Sequence, residues 1–177
     1  LLARPACNNF ARLRTAAAVD LLYSTGMRIT ELLTLRLESV DFQSGWLRVF
    51  GKGSKERIVP VNQAALGALK RYLEARELRF GAKSPDAELF LNKSGRRLSR
   101  VQMWKDIVNL GAEAEVHIKA YPHLFRHTFA SHLVAAGADL RSVQEMLGHS
   151  SLNTTQIYTH IDKGGLKNAH DKYHPDK

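Results

Sequence analysis

The sequence predicts a mostly α-helical domain that contains a small three-stranded antiparallel β-sheet. Apolar residues recur at helical spacing over most of the chain, and a β-rich stretch with glycine-containing turns interrupts them between Val40 and Val61. The chain has 177 residues, of which 44% are hydrophobic, so it is about one domain long and can bury a sizeable core. We therefore expect residues 1–177 to form one domain.

The first two predicted helices lie on either side of Gly26. Residues 10–24 carry an apolar stripe that is typical of an amphipathic helix, and Gly26 ends it. Arg28 follows at the start of a second, short helix, which is anchored by Leu32, Leu33 and Leu35. Because packed neighbours hold this helix, we expect the Arg28 side chain to be rigidly placed.

Three β-rich segments come next, SVDF, GWLRVF and ERIVPV, separated by QSG and GKGSK. Such a pattern predicts an antiparallel sheet with tight turns. Helical spacing returns from Asn62 to Phe80. After a loop around the apolar segment LFL, Ser99 is a candidate N-cap for a helix that carries Val101, Trp104 and Val108.

A basic cluster lies just before and at the start of that helix, formed by Arg96, Arg97 and Arg100. It predicts either a solvated basic turn or a contact with a phosphate backbone.

The sequence of the last part of the chain predicts two helices and a final helical turn. Pro122 fits the first turn of a helix that ends at Gly137, and Gly148 ends the next helix and presents His149. Ser151 or Asn153 would cap a final turn that bears Tyr158. On the first of these helices His123, Arg126 and His127 share one face, and the packed face is expected to carry Phe125, Phe129, His132 and Leu133.

The composition favours a polyanionic partner. Twenty-six Lys and Arg residues against 17 Asp and Glu residues give a formal charge of +9. The single cysteine, Cys7, excludes an internal disulfide and a cysteine-based zinc cluster, and it agrees with a reducing cytoplasm. No apolar stretch approaches the roughly 20 residues that span a bilayer, and a signal peptide is not recognisable. We expect a cytoplasmic protein that, beginning with Leu1, is part of a longer one.

Six residues could form a site for phosphoryl transfer: Arg28, Lys52, His123, Arg126, His149 and Tyr158. Arginine forks match phosphate oxygens bidentately and could replace the metal ions of other nucleases. A tyrosine hydroxyl has a pKa of about 10, so it needs a neighbouring base or a cationic field in order to attack. His123 could provide the base, and the arginines could provide the field.

Two other interpretations of the histidine-rich region remain. His123 and His127 have the spacing of a zinc-binding pair, but HLFRH lacks the glutamate of HExxH. Each histidine, taken singly, is more often an ordinary core or surface residue than a catalyst. The occurrence of these residues together favours the phosphoryl-transfer interpretation.

The motifs TGMRITELL, GKGSKER, HLFRHTFASHL and LGHSSLNTTQIYTH occur in this order along the chain. In this order they resemble the catalytic domain of the tyrosine recombinases, also called the phage integrase family. The tail LKNAHDKYHP further resembles the Xer-type bacterial recombinases that resolve chromosome dimers. Integron, transposon, plasmid and phage recombinases share much of this pattern.

The resemblance implies a role for each site residue. Arg28 and Arg126 would hold the scissile phosphate, and His149 would donate a hydrogen bond to it. His123 would act as general acid and base, and Tyr158 would form a 3′-phosphotyrosyl link. Lys52 would protonate the departing 5′ oxygen, although Lys55 on the same turn competes for this role. The resemblance implies no metal and no organic cofactor.

The resemblance also implies partners. Double-stranded DNA would be the substrate, with Lys55, Arg57 and the basic cluster as candidate backbone contacts. A tetramer would form on paired sites, and the C-terminal tail would dock in a neighbouring protomer, with Leu166 as anchor. A separate N-terminal core-binding domain would lie outside this chain, and an Xer-like role would add a DNA translocase. A type IB topoisomerase-like enzyme and a non-cleaving DNA-binding module remain alternatives.

Overall fold

The computed structural model describes residues 10–51, 56–81, 87–115, 122–148 and 170, with only the backbone given at 122, 123, 140 and 145. The helices are α1 (Phe10–Thr25), α2 (Ile29–Leu33), α3 (Gln63–Phe80), α4 (Arg100–Glu113), α5 (Pro122–Ala135) and α6 (Leu140–Leu147). The strands are β1 (Val40–Asp41), β2 (Trp46–Phe50) and β3 (Glu56–Pro60). The predicted mostly helical fold with a small antiparallel sheet is confirmed.

The sheet has the order β1-β2-β3, and both pairs of neighbouring strands are antiparallel. Strand β2 pairs with β3 over its whole length, so that Leu47 lies opposite Val59 and Phe50 lies opposite Glu56. Burial alternates along β2, as expected for a sheet with one face on the core. This register places Arg57, the second residue of β3, among the buried residues.

Helix α1 lies at the centre of the molecule and packs against α3, α4 and α5. It is buried around most of its circumference, because alanines as well as leucines contact the core. A second apolar cluster joins α5 to α6 through Phe129, Leu133, Val143, Met146 and Leu147. None of the helices in the described ranges is long and apolar enough to cross a membrane.

The predicted helix ends are confirmed where the structure describes them. The side chain of Ser99 accepts a hydrogen bond from the backbone N–H of Gln102 at 3.1 Å, so it caps α4. Gly137 and Gly148, which follow α5 and α6, both have positive φ. Such left-handed backbone favours glycine and ends each helix.

On α4 the structure decides which face is buried, and on α5 the predicted packed face is wrong in part. On α4, Val101 and Val108 are exposed by 64% and 44%, and Met103 and Ile107 are the residues that enter the core. Both valines satisfy helical spacing, but the position of α1 selects the other face of the helix. On α5, His132 is exposed instead of packed, and its Nδ1 lies 3.0 Å from the hydroxyl of Tyr23.

His170 is buried against α1 and α5 of the same chain. Its Nε2 lies 2.8 Å from the carbonyl oxygen of Ser24, and its ring is 6.4 Å from that of Phe129. Leu166, the predicted anchor for docking in trans, lies outside the described residues.

Candidate active site

Arg28 is presented by the turn that joins α1 to α2. Gly26 has a φ of 62°, which ends α1, and Met27 is fully buried below the turn. Arg28 is the N-cap of α2, and its side chain is 43% exposed. Its backbone N–H donates to Oε2 of Glu31 at 2.8 Å, and its Nη1 donates to Oε1 at 3.1 Å. The helix therefore begins with the arginine held by a carboxylate one turn later.

Arg126 lies on α5, next to the buried Phe125. Its Nη1 donates to the carbonyl of Gly26 at 2.9 Å, and its Nη2 donates to the carbonyl of Leu147 at 2.8 Å. The guanidinium thus joins the turn before Arg28 to the end of α6. A guanidinium has five N–H donors, so these two bonds leave donors that an anion could use.

Close packing holds this junction together. An added Cβ on Gly26 would lie 2.5 Å from Cδ1 of Phe129 and 2.8 Å from Cδ2 of Leu147, which is closer than real side chains approach. The turn that carries Arg28 can lie this close to α5 and α6 because residue 26 has no side chain.

The position of Arg57 disagrees with its predicted role as a contact to the DNA backbone. It is only 8% exposed, and its Nη1 and Nη2 donate to the two carboxylate oxygens of Glu31 at 3.0 and 2.8 Å. Its Nε donates to the carbonyl of Met146 at 3.1 Å. A buried guanidinium with these partners argues against direct contact with a DNA backbone.

Glu31 is the carboxylate of the arginine cluster, by which we mean Arg28, Glu31, Arg57 and Arg126. Burial opposes its ionisation and is the largest single influence on its pKa. The hydrogen bond from Arg57, the backbone N–H of Arg28 and the charges of both arginines outweigh burial and hold the pKa of Glu31 below its usual value. Glu31 is therefore ionised at neutral pH.

The arginine cluster has excess positive charge. Three guanidinium groups and one carboxylate leave a net charge of +2 among these four described residues. Burial and the charges of Arg28 and Arg57 lower the pKa of Arg126 to about 10, and the charge of Glu31 acts in the opposite direction. An incoming anion would relieve this repulsion, so the cluster is suited to bind a phosphate.

The structure brings Arg28 and Arg126 together at the turn after α1, and their catalytic roles stay predictions. Lys52, Lys55, His149 and Tyr158 lie outside the described residues, and so does the side chain of His123, although its backbone belongs to α5. Arg96, Arg97 and Arg100 are exposed, and Nε of Arg97 lies 4.0 Å from Glu88. Their contact with DNA stays a prediction.

Glu31 is not among the site residues predicted from the sequence. The signal was present in the sequence, because an acidic residue three positions after a helix N-cap commonly bonds back to the first turn. A metal site is not suggested by the described part of the chain, where no three side chains of the ligand-forming types come together. The absence of a cofactor therefore stays a prediction.

The known proteins that resemble this chain in sequence belong to one family. Residues 2–164 match the phage integrase family. Tyrosine recombinase XerD of Staphylococcus aureus is 45% identical over 175 residues, which is 99% of this chain and 59% of the relative. The chain thus spans about three fifths of the length of this curated relative.

Solved structures agree with the sequence match. XerA recombinase has a TM-score of 0.71 at 34% identity, and the match covers 93% of this chain and 60% of XerA. The XerH site-specific recombinase, bound to its difH substrate in a pre-cleavage complex, has a TM-score of 0.71 at 32% identity. That match covers 90% of this chain and 46% of XerH.

Proposed function

The chain belongs to the phage integrase family, and from this premise we propose that it is the catalytic domain of a site-specific DNA recombinase. In this proposal it cleaves and rejoins DNA strands through a 3′-phosphotyrosine intermediate. Double-stranded DNA is the substrate, which agrees with the difH substrate bound by XerH.

The observation that carries the proposal is the placement of Arg28 and Arg126. They come from two helices that are distant in the chain, and both are bound to the same small region around Gly26, Glu31 and Leu147. The surplus positive charge is held in place before a ligand arrives. Such preorganised charge stabilises a phosphoryl-transfer transition state without further rearrangement.

The proposed reaction is a transesterification. The hydroxyl oxygen of Tyr158 attacks the scissile phosphorus while the bond from phosphorus to the 5′ oxygen breaks. His123 accepts the tyrosine proton, Lys52 protonates the leaving 5′ oxygen, and His149 donates a hydrogen bond to the phosphate. One phosphodiester replaces another, so a free 5′ hydroxyl reverses the step without ATP.

The biological role we propose is Xer-like resolution of chromosome or plasmid dimers in the cytoplasm. The XerD, XerA and XerH relatives support it. In this role the protein assembles as a tetramer on paired sites, with a separate N-terminal domain on the other face of the DNA and a DNA translocase as accessory factor. An integron, transposon or phage integrase role uses the same chemistry.

The proposal is tested with the full-length natural protein and an end-labelled duplex carrying a site of the kind that XerH binds. A nick beside the expected cleavage position lets the short 5′ fragment diffuse away, which traps the intermediate. We expect a protein–DNA adduct that survives denaturation, is absent in Tyr158→Phe and is reduced in Arg126→Ala.

Three outcomes separate the candidate functions. An adduct together with strand exchange between two duplexes supports a recombinase. An adduct with relaxation of supercoiled DNA and no exchange points to a topoisomerase-like enzyme instead. Binding in a gel shift without any adduct makes the protein a DNA-binding module and overturns the proposal.

A further inference from the structure

Arg57 is a buried arginine for which the reaction described above has no use. Its guanidinium lies between Glu31 on α2 and the last turn of α6. We propose that Arg57 is a positioning residue, which holds the turn that carries Arg28 and the C-terminal end of α6 in a fixed relation. This inference rests on the proposed function and deepens it, because it concerns the same site.

The first part of this role is to saturate Glu31. Oε1 accepts from Nη1 of Arg28 at 3.1 Å and from Nη1 of Arg57 at 3.0 Å. Oε2 accepts from the backbone N–H of Arg28 and from Nη2 of Arg57, both at 2.8 Å. Two carboxylate oxygens offer about four acceptor positions, so both are fully used.

The hydrogen bonds from Arg57 to Glu31 affect how well Arg28 can bind a phosphate. Without Arg57, the buried carboxylate would have Arg28 as its remaining close cation among the described contacts, and the net charge of the cluster would fall from +2 to +1. Glu31 would then draw the half-exposed Arg28 guanidinium towards itself and away from an incoming phosphate. Arg57 donates two hydrogen bonds to the Glu31 carboxylate from the buried side of the site. The Arg28 guanidinium is thereby left able to bind the substrate.

The second part of this role is to hold the end of α6. The last carbonyls of a helix have no partner within the helix. Here the carbonyl oxygen of Met146 accepts from Nε of Arg57 at 3.1 Å, and the carbonyl oxygen of Leu147 accepts from Nη2 of Arg126 at 2.8 Å. Two arginines of the cluster thus fix the point from which the chain continues to His149.

Gly148 shows how closely the chain follows Arg57 at this point. Its φ is 68°, and an added Cβ would lie 3.1 Å from Cδ and 3.2 Å from Nε of Arg57. The backbone therefore turns directly against the Arg57 side chain. A displaced Arg57 would change the path of the chain one residue before His149.

Arg14 is a matched control for a purely structural arginine. Its side chain is only 2% exposed, its Nη1 donates to the carbonyl of Leu91 at 2.9 Å, and its Nη2 pairs with Asp106. Like Arg57 it is a buried guanidinium that binds one carboxylate and one carbonyl. Its partners belong to α4 and to the segment before α4, and they are not members of the arginine cluster.

The experiment compares Arg57→Met, Arg57→Lys and Arg14→Met in the full-length protein. For each variant we would measure thermal unfolding, affinity for the nicked duplex, and the single-turnover rate of adduct formation at a temperature where the variant is folded. We expect Arg57→Met to bind DNA almost as well as the wild type but to form the adduct about 100-fold more slowly, the cost of a misplacement of about 1 Å.

The other two variants separate positioning from stability. Lysine keeps the charge but cannot bond both oxygens of Glu31 and the Met146 carbonyl at once, so Arg57→Lys should be slow as well, at an intermediate rate. Arg14→Met should lower the unfolding temperature, yet form the adduct within about twofold of the wild-type rate, as independent sites do.

The outcomes are distinguishable. If the wild type forms no adduct, the proposed function fails and this inference fails with it. If the wild type forms the adduct and the Arg57 variants show normal rates, the inference alone is overturned. It is also overturned if neither Arg57 variant folds, or if their rates fall only in proportion to the unfolded fraction, because Arg57 is then a structural residue like Arg14.

Discussion

The carboxylate of Glu31 accepts two parallel hydrogen bonds from Arg57, at 3.0 Å from Nη1 and 2.8 Å from Nη2. This buried pair joins α2 to β3, and through the Nε of Arg57 it reaches α6. A bidentate pair of this kind fixes orientation as well as distance. The Arg28 side chain, which also donates to Glu31, is therefore held by a carboxylate that Arg57 fixes from the buried side.

Glu31→Gln should reduce the dependence of stability on acid pH. The folded protein holds the pKa of Glu31 below its ordinary value of 4.5, so the ionised carboxylate contributes stability above that pH. This contribution is lost as the pH falls through the lowered pKa of the folded state. We expect the stability difference between wild type and Glu31→Gln to be largest at neutral pH and to shrink at acid pH.

Urea unfolding at a series of pH values between 7 and 3 would measure this difference. Glu38→Gln is the control, because the side chain of Glu38 is 76% exposed. We expect a small difference for it at every pH. A constant difference between wild type and Glu31→Gln over the whole range would contradict the interpretation of Glu31 as an ionised partner of Arg57.

Lysine at position 126 should not perform the role of the arginine, so Arg126→Lys should be a slow enzyme. One ammonium cannot bind the carbonyls of Gly26 and Leu147 and also present a fork to a phosphate. Loss of a preorganised donor to a developing charge costs about 100-fold to 1000-fold in rate. We expect a fall of this size in single-turnover adduct formation, with a much smaller change in DNA affinity.

Arg96→Lys is the comparison for Arg126→Lys, because Arg96 is exposed on the turn before α4. At such an exposed position a lysine ammonium serves as well as an arginine guanidinium. The rate of adduct formation by Arg96→Lys should therefore stay near that of the wild type. Equal rates for Arg126→Lys and the wild type would mean that the fork geometry of Arg126 is not needed.

Gly26→Ala should destabilise the fold, whereas Gly111→Ala should not. Gly26 has a φ of 62°, so alanine there carries a backbone cost of about 1–2 kcal/mol, whereas Gly111 lies within α4 and has no positive φ. At Gly26 the new methyl also meets Phe129 and Leu147, whereas nothing lies within 4 Å at Gly111. We expect an additional loss of about 1–3 kcal/mol from overpacking at Gly26.

Urea unfolding of the two variants measures this difference. Gly26→Ala should also slow adduct formation, because the turn carries Arg28 and the carbonyl that accepts from Arg126. Equal stability of the two variants would show that the turn and the packing around Gly26 can relax.

Inorganic phosphate should stabilise the folded protein. The net charge of +2 in the arginine cluster favours an anion, and a ligand that binds only the folded state stabilises it by about 1.4 kcal/mol at ten times its Kd. We expect a rise in unfolding temperature with phosphate, relative to chloride at equal ionic strength. Arg126→Ala should remove most of this rise.

The control for the phosphate effect is Arg96→Ala, which removes an exposed arginine outside the cluster. It should keep the rise in unfolding temperature. If both variants respond to phosphate as the wild type does, the stabilisation comes from general exclusion of the salt and not from the arginine cluster.

Much of the fold could be predicted because its signals are local. Helix starts and ends depend on nearby residues, as with Ser99 at α4 and Gly148 after α6, and strand pairing followed from short β-rich segments between turns. The selection of Arg28 and Arg126 rested on their motifs. Local spacing could not choose the buried face of α4, where Met103 lies in the core and Val101 is exposed.

The sequence by itself determined the element order, the caps, the family resemblance and the identity of the two arginines. Only the tertiary structure decided that Arg57 turns inward to Glu31 and Met146, which lie 26 and 89 positions away in the chain. The physical reason is that burial of a charge is stable only where partners from distant segments meet it. No pattern within ERIVP can encode that meeting, because it requires α2, β3 and α6 to pack together.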